Sequence, residues 1–224
     1  MNLIHTFEAV QEASLQLLEL TDKDINKILL AVAEAAIEQT DFILSENLKD
    51  LERMDPANPK YDRLKLTKER LQSIAFDIRN VATLPSPLGR TLKENTLPNG
   101  LRIRRVSVPF GVIGIIYEAR PNVTVDAAAL AFKAGSAMLL RGSSSAYESN
   151  AALVRVMRES LEKSGVTPDA VCLVEDPSHE TVDRMLKLRE YIDLIVPRGG
   201  ARLINNAVMN STVPVLQTGT GNCH

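Results

Sequence analysis

Apolar residues recur at helical spacing through the first part of the chain. Thr21 followed by Asp24 is typical of the cap that begins a helix, and Thr67 marks the start of another helix further along. This spacing places the apolar side chains on one face, where they can pack on a core. We therefore predict an N-terminal helical segment over residues 1–83, with a role in packing and assembly. The residues that carry the pattern are Leu3, Phe7, Val10, Leu17, Ile25, Ile28, Leu29, Val32, Ala36, Leu71, Ile74 and Ile78.

A strand-like pattern replaces the helical one over residues 84–108. Asn99-Gly100 separates two short extended runs, and this dipeptide is typical of a hairpin whose type I′ turn requires positive φ at both positions. The second run contains basic side chains that can bind an anion, although such charges also protect a sheet edge. We predict a β-hairpin arm, and its basic residues are Arg102, Arg104 and Arg105.

From residue 109 onward, short apolar runs alternate with helical patterns. Runs that are apolar throughout are expected when helices cover both faces of a sheet. Strand–helix–strand units of this length predict right-handed crossovers and a parallel, Rossmann-like sheet. The predicted fold class is therefore α/β, with five strands separated by four helices. The five runs are Val112–Tyr117, Ala137–Leu140, Ala170–Val174, Ile192–Val196 and Val213–Leu216.

The composition is that of a globular protein. The chain has 224 residues, of which 45% are hydrophobic and 24% charged, and its net charge is −2. This balance gives no indication of nucleic acid, and the longest apolar stretch is too short to span a bilayer. The N-terminus lacks the features of a signal peptide, so we expect a cytoplasmic protein whose cysteines are free thiols. Three histidines far apart and no Cys-x-x-Cys give no reason to expect a metal site.

Ligands of an open parallel sheet bind at the carboxyl ends of its strands, and three of these ends are unusual here. The first is the segment 117–122, where a strand stops and polar groups gather before a helix. Arg120 can grip an anion there, and the side-chain amide of Asn122 can donate to a developing oxyanion. The alternative is a polar loop in which Asn122 caps the helix.

The second strand end is the segment Arg141–Ser145, in which an arginine and a glycine precede three serines. Ser145 and Glu148 have the spacing of a capping box, so a helix is predicted to begin there. Its free backbone N–H groups, the hydroxyls and Arg141 would suit a phosphate or a ribose. A capped surface loop is the alternative interpretation.

The third strand end is Arg198-Gly199-Gly200, which runs directly into a helix. Glycines let a pyrophosphate approach the backbone closely, and a helix N-terminus favours negative charge. The segment does not have the Gly-x-Gly-x-x-Gly pattern of many dinucleotide sites. A simple tight turn is therefore the alternative to a phosphate site.

The two cysteines give little indication of catalysis. Cys223 and His224 are adjacent, and adjacent strand residues point to opposite faces, so we do not expect a nucleophile and its base. Cys172 lies in the middle of an apolar run. It is therefore expected to be a thiol of the core.

Four longer segments are specific enough to indicate a family. They read VPFGVIGIIYEARPNVTVDAAALAFKAG, MLLRGSSSAYESNAAL, YIDLIVPRGGARLI and VPVLQTGTGNCH. Together they closely resemble the gamma-glutamyl phosphate reductases, also called glutamate-5-semialdehyde dehydrogenases, of the aldehyde dehydrogenase superfamily. The resemblance extends over the whole chain, more loosely across the N-terminal helices.

The resemblance implies the reduction of L-glutamyl 5-phosphate by NADPH to L-glutamate 5-semialdehyde, with release of phosphate, in proline biosynthesis. In this family a cysteine thiolate attacks the acyl phosphate to form a thioester, which hydride from the nicotinamide then reduces. It also implies a dinucleotide-binding domain over residues 109–224 and an oligomerisation arm at residues 84–108. A homo-oligomer and functional coupling to glutamate 5-kinase are expected of the complete protein.

The resemblance also implies roles for the residues that match the family's motifs. Asn122 resembles the superfamily asparagine whose side chain helps hold the oxyanion, and Arg120 beside it is expected to bind the substrate. Gln217 stands where many aldehyde dehydrogenases have a glutamate base, which puts a hydrolytic reaction in doubt.

The cofactor preference rests on Arg141. It lies where aldehyde dehydrogenases usually have a lysine that contacts the adenosine ribose, and a guanidinium with neighbouring serines would suit a 2′-phosphate. NADPH is therefore the expected cofactor. The residues expected to bind it are Arg141, Gly142, Ser143, Ser144, Arg198, Gly199 and Gly200.

The nucleophilic cysteine of the family lies downstream of the segment that resembles VPVLQTGTGNCH. Because the chain stops at His224, the catalytic domain is expected to be absent and these residues alone to be inactive. Two other interpretations remain open. One is an inactive nucleotide-binding or assembly module, and the other is a different acyl-phosphate or aldehyde dehydrogenase of the superfamily.

Overall fold

The computed structural model describes residues 3–118, 120–176 and 178–217. Within them a run of helices precedes a β-hairpin, and strands then alternate with helices. No helix of these ranges is long and apolar enough to cross a membrane. The helices are α1 (Leu3–Gln16), α2 (Asp22–Glu38), α3 (Thr40–Glu52), α4 (Tyr61–Leu64), α5 (Lys68–Thr83), α6 (Pro121–Lys133), α7 (Tyr147–Lys163), α8 (His179–Met185) and α9 (Ala201–Asn210). The strands are β1 (Thr91–Thr96), β2 (Arg102–Val106), β3 (Val112–Tyr117), β4 (Ala137–Arg141), β5 (Val171–Leu173) and β6 (Leu194–Arg198).

Strands β3 to β6 form one parallel sheet in the order β5-β4-β3-β6. All six residues of β3 are buried, as expected of a strand covered on both faces. The predicted α/β class with a Rossmann-like parallel sheet is therefore confirmed.

The fifth predicted strand, Val213–Leu216, is wrong as a full strand within the part of the chain that the structure describes. It makes one isolated parallel bridge, between Val215 and Ile195. Pro214 accepts a hydrogen bond from the Ile195 N–H at 2.8 Å. Proline has no N–H to continue a ladder, which explains why the run pairs so briefly.

One continuous hydrophobic core joins the N-terminal helices to the sheet. It extends from Phe7 on α1 to Val213 after α9. The helical segment therefore packs on the same core as the strands, in line with its predicted packing role. The division of the chain into residues 1–83, 84–108 and 109–224 stays a prediction.

The turn between β1 and β2 differs from the prediction. Gly100 has a φ of 86°, but Asn99 is not among the described residues with positive φ, so the type I′ turn is wrong. The Gly100 N–H donates to the Leu97 carbonyl at 2.9 Å, and the Leu97 N–H donates to the Leu101 carbonyl at 2.9 Å. Pro98 has the fixed φ that suits a type I turn, and a left-handed glycine after such a turn makes the common three-residue hairpin loop.

Two predicted helix starts are confirmed. The Thr21 hydroxyl accepts the Asp24 N–H while the Asp24 carboxylate accepts the Thr21 N–H, which is a complete capping box for α2. The Thr67 hydroxyl accepts the Arg70 N–H at the start of α5. Both caps join residues three apart, so the sequence alone contains the information.

The predicted capping box at α7 is wrong. The residue before α7 makes no side-chain cap, and Ser145 donates its N–H to the Ser143 hydroxyl at 3.3 Å instead. The carboxylate of Asp50, on α3, accepts the N–H groups of Glu148 at 3.3 Å and Ser149 at 2.8 Å. Asp50 is 98 positions from Glu148, so tertiary packing brings the cap to the helix.

Candidate functional site

The structure brings the three unusual strand ends together at one edge of the sheet. In the parallel ladder Ile116 of β3 is opposite Arg141 of β4, and Tyr117 of β3 is opposite Arg198 of β6. Arg141 and Arg198 thus flank the end of β3. With neighbouring strands about 4.8 Å apart, their backbones are separated by about 10 Å.

The turn after β6 holds a carboxylate. The Gly200 N–H, at the start of α9, donates to Oε1 of Glu118 at 2.8 Å. A β-carbon at Gly199 would lie 2.9 Å from the same oxygen, so a larger residue would displace the Glu118 side chain. The segment is a tight turn whose N–H binds a side-chain carboxylate, and its role as a phosphate site stays a prediction. Glu118 was missed because nothing near it in the sequence indicates a contact with α9.

Arg141 is held at the end of β4 by the segment before α8. Its Nη2 donates to the Ser178 carbonyl at 3.1 Å. Burial lowers the pKa of the Arg141 guanidinium, and the nearby Asp176 carboxylate opposes that shift. Arginine keeps its charge at neutral pH despite such a shift. A fixed and half-buried cation therefore lies next to the start of α8.

The serines after Arg141 shape a turn of their own. The Ser143 side chain caps a short 3₁₀ turn, Ser144–Ala146, by accepting the Ser145 N–H. The hydroxyl oxygens of Ser143 and Ser145 lie 2.9 Å apart. This capped loop was one of the two interpretations of the segment. It leaves the Ser144 side chain exposed.

Gly142 is packed closely against two buried side chains. A β-carbon there would lie 2.4 Å from Nδ2 of Asn150 and 3.1 Å from Cζ of Tyr117. These two side chains belong to a buried network. The Thr124 hydroxyl lies 2.7 Å from the Tyr117 hydroxyl and donates to Oδ1 of Asn150 at 2.8 Å. Burial raises the pKa of the Tyr117 hydroxyl, which therefore stays neutral.

Asn122 does not cap the helix that follows β3. Arg120 is the residue before α6, Pro121 is its first residue, and no side chain caps it. The Asn122 side chain is exposed and its Nδ2 lies 3.4 Å from Oδ2 of Asp126. Arg120 and Asn122 both line a cavity of about 340 Å³ that also contacts residues 62–77.

Two other residues singled out in the sequence lie just beyond the bridge with β6 and within β5. Gln217 is exposed beyond the bridge with β6. Cys172 is buried in β5, and burial raises its pKa to about 11. Cys223 and His224 lie outside the described residues. Within the described ranges no group of three or more histidine, cysteine or acidic side chains could hold a metal ion.

A dinucleotide cofactor fits the residues that are present. Two arginines and the N-terminus of α9 supply positive charge along one edge, and the Gly200 N–H just before α9 already binds a carboxylate. Glu118 is exposed, so its side chain can rotate away from an incoming phosphate. The roles of Arg120, Asn122, Arg141 and the two glycine-containing turns stay predictions.

Comparison with known proteins identifies close relatives over the whole chain, although no family model matches it. The gamma-glutamyl phosphate reductase of Bacteroides fragilis is 57% identical over 224 residues, which is 100% of this chain and 54% of that protein. The crystal structure of gamma-glutamyl phosphate reductase from Thermotoga maritima has a TM-score of 0.95 and 39% identity, and the match covers 100% of this chain and 55% of that one.

A more distant structure shows how widely the fold is shared. An acetylating aldehyde dehydrogenase from Geobacillus thermoglucosidasius matches with a TM-score of 0.75 at 20% identity, over 97% of this chain and 46% of that one. The fold is therefore of the aldehyde dehydrogenase type. The chain spans about half the length of the curated relatives it matches.

Proposed function

We propose that this chain, which is similar along its whole length to the N-terminal half of gamma-glutamyl phosphate reductases, provides the cofactor-binding part of such an enzyme. The complete protein would reduce L-glutamyl 5-phosphate to L-glutamate 5-semialdehyde with NADPH and release phosphate, a step of proline biosynthesis. The cofactor would supply a hydride to the substrate carbonyl carbon, which loses the phosphate group.

The observation that supports this proposal most directly is the set of groups at the carboxyl ends of the parallel strands. Arg141 and Arg198 flank β3 there, and the backbone N–H of Gly200 binds a carboxylate at 2.8 Å. These groups would bind the phosphates of a dinucleotide, and Glu118 would have to leave. Arg141, with Ser143 and Ser144 after it, would contact a 2′-phosphate and so favour NADPH over NADH.

The substrate side of the proposal rests on Arg120 and Asn122. Both lie at the end of β3, at the border between the sheet edge and the cavity. Arg120 would bind the acyl phosphate, and the Asn122 amide would donate to the carbonyl oxygen as negative charge develops on it. We further propose, from the resemblance, that the complete protein is a cytoplasmic homo-oligomer coupled to glutamate 5-kinase.

The test is an activity measurement on a longer polypeptide, in which this chain is followed by the remaining half of the Bacteroides fragilis relative. We expect this fusion to reduce NADP⁺ when given glutamate 5-semialdehyde and inorganic phosphate, which is the reaction in reverse. The added half alone and this chain alone are the controls, and both are expected to be inactive. A folded, cofactor-binding fusion without phosphate-dependent activity would indicate an inactive module instead. Activity only with other aldehydes would indicate another member of the superfamily.

A further inference from the structure

A cavity of about 340 Å³ opens between α4, α5 and α6, and we call it the α4–α6 cavity. Small-molecule sites have volumes of this order. Its inner wall includes the buried side chains of Leu66 and Ile74, while its rim holds charged groups of both signs. One end of the rim is formed by Arg120 and Asn122, so the cavity reaches the end of β3.

Two carboxylates line this cavity from different helices. Asp77 lies on α5 and Asp126 lies on α6. Burial and the charge of Asp77 raise the pKa of Asp126, while the Asn122 amide and the charge of Arg198 oppose that shift only in part. Within the described ranges neither forms a salt bridge. A ligand that carries a cationic group would relieve the repulsion between the two carboxylates.

Basic side chains line the same cavity near α4. Arg70 is fully engaged, because it donates to the Asp62 carboxylate at 2.9 Å and to the Lys65 carbonyl at 2.5 Å. Arg63 and Lys65 also line the cavity, and neither forms a salt bridge with any residue that the structure describes. These two cations are therefore available to a ligand carboxylate.

Charges of both signs in one cavity of this size match a zwitterion. We propose that the α4–α6 cavity binds the α-amino acid end of a glutamyl substrate, with its ammonium group at Asp77 and Asp126 and its α-carboxylate at Arg63 and Lys65. The side-chain carbonyl of the substrate then extends toward Arg120 and Asn122 at the end of β3. This inference rests on the proposed function and adds the groups that select an α-amino acid.

The test compares three ligands for binding to the full 224-residue chain, by chemical-shift titration of the ¹⁵N-labelled protein. L-Glutamate has both charged groups, glutarate lacks the ammonium group, and L-isoglutamine lacks the α-carboxylate. We expect L-glutamate to bind saturably and each analogue to bind about tenfold more weakly, because each loses a charge-assisted hydrogen bond. Equal affinity for L-glutamate and glutarate, or no saturable binding, would overturn the proposal.

Substitution of each cavity carboxylate tests where the ammonium group of the ligand binds. Asp77→Asn and Asp126→Asn are each expected to weaken L-glutamate binding about tenfold but not to weaken glutarate binding, because glutarate has no ammonium group and these carboxylates repel its negative charges. Asp183→Asn is the matched control, since Asp183 is exposed on α8 and does not line the cavity. Variants that weaken both ligands equally would contradict an ammonium site.

Ligand binding separates this proposal from the proposed function. Binding of L-glutamate that needs its ammonium group requires no cofactor, no hydride transfer and no second half of an enzyme. If the fusion described above is inactive but the ligand series behaves as expected, the amino acid site stands and the reductase activity fails. If the fusion is active but the ligand series fails, only the amino acid site is lost.

Discussion

Glu118 changes how the candidate site is understood at the level of single residues. The three strand ends were recognisable from glycine, serine and arginine residues in sequence. The contact from Glu118 to the Gly200 N–H, at 2.8 Å, joins residues 82 positions apart. It places a negative charge where the proposed cofactor phosphate would bind, so Glu118 and the phosphate compete for the same N–H.

Removing the charge of Glu118 should strengthen NADPH binding. In Glu118→Gln the carboxylate no longer repels the pyrophosphate, and we expect the dissociation constant for NADPH to fall about threefold to tenfold. Glu34→Gln is a matched control, because Glu34 is exposed on α2. Titration followed by nicotinamide fluorescence measures the dissociation constant for NADPH in both variants. An unchanged or weaker affinity would show that Glu118 serves only to cap α9.

Cys172 gives a pH-dependent prediction. Its thiol has a pKa of about 11 in the folded chain against 9.0 as a free group, so the folded state keeps a proton that the unfolded state loses. The stabilisation is complete below pH 9 and is lost as pH rises from about 9 to about 11. The free energy of unfolding should therefore fall over this range.

The measurement is urea denaturation at about pH 8.5 and about pH 10.5, on the wild-type chain and on Cys172→Ala. The wild-type chain should lose about 2 kcal/mol more than the variant between these conditions. Because the wild-type chain and the variant share the same lysines and tyrosines, the contributions of those groups to the pH dependence cancel in the comparison. A variant with the same pH dependence as the wild type would contradict a buried, protonated thiol.

At the scale of elements, the start of one helix follows from neighbouring residues and the start of another depends on a distant one. The Thr21–Asp24 cap of α2 depends on two residues three apart, and it is confirmed. The start of α7 depends on Asp50, which lies 98 positions from Glu148. The capping-box prediction at Ser145 failed because tertiary packing places the Asp50 carboxylate at the start of α7, where it accepts the free N–H groups.

Asp50→Ala should destabilise the chain by removing this cap. The N–H groups of Glu148 and Ser149 and the Ser149 hydroxyl lose their acceptor. We expect the free energy of unfolding to fall by about 2 kcal/mol. Asp41→Ala is the matched control, because that carboxylate on α3 is 93% exposed and lies 3.7 Å from Lys68.

Urea denaturation measures both variants, and Asp41→Ala should change the free energy of unfolding by less than about 0.5 kcal/mol. Similar losses in the two variants would mean that Asp50 stabilises α3 in general rather than the start of α7.

At the scale of the whole molecule, periodicity alone predicted the parallel sheet and its helices. Buried strands such as β3 are apolar throughout, and that pattern is visible in the sequence. The hairpin was also predicted, but its turn type was not, because Pro98 and the closing pair Leu97 and Leu101 determine it. The pairing of Val213–Leu216 depends on a proline that interrupts the ladder.

Several residues of the candidate site were predicted from the sequence, but the contacts between them were not. The sequence located Arg141 and Arg198 at strand ends, and strand order then put them on either side of β3. It could not show that Glu118 contacts α9 or that Asn150 packs on Gly142, because both contacts join elements distant in sequence. The α4–α6 cavity depends likewise on how α5 packs against α6.

The measurement that tests the central claim most directly is binding of NADPH and NADH to the chain, followed by nicotinamide fluorescence. We predict that NADPH binds about tenfold more tightly than NADH and that Arg141→Ala removes this difference, because the proposed site pairs the guanidinium with the 2′-phosphate. Arg104→Ala, in the exposed strand β2, is the matched control and should retain the preference for NADPH. Absence of saturable binding by either cofactor, or equal weakening of both by Arg141→Ala, would contradict the account.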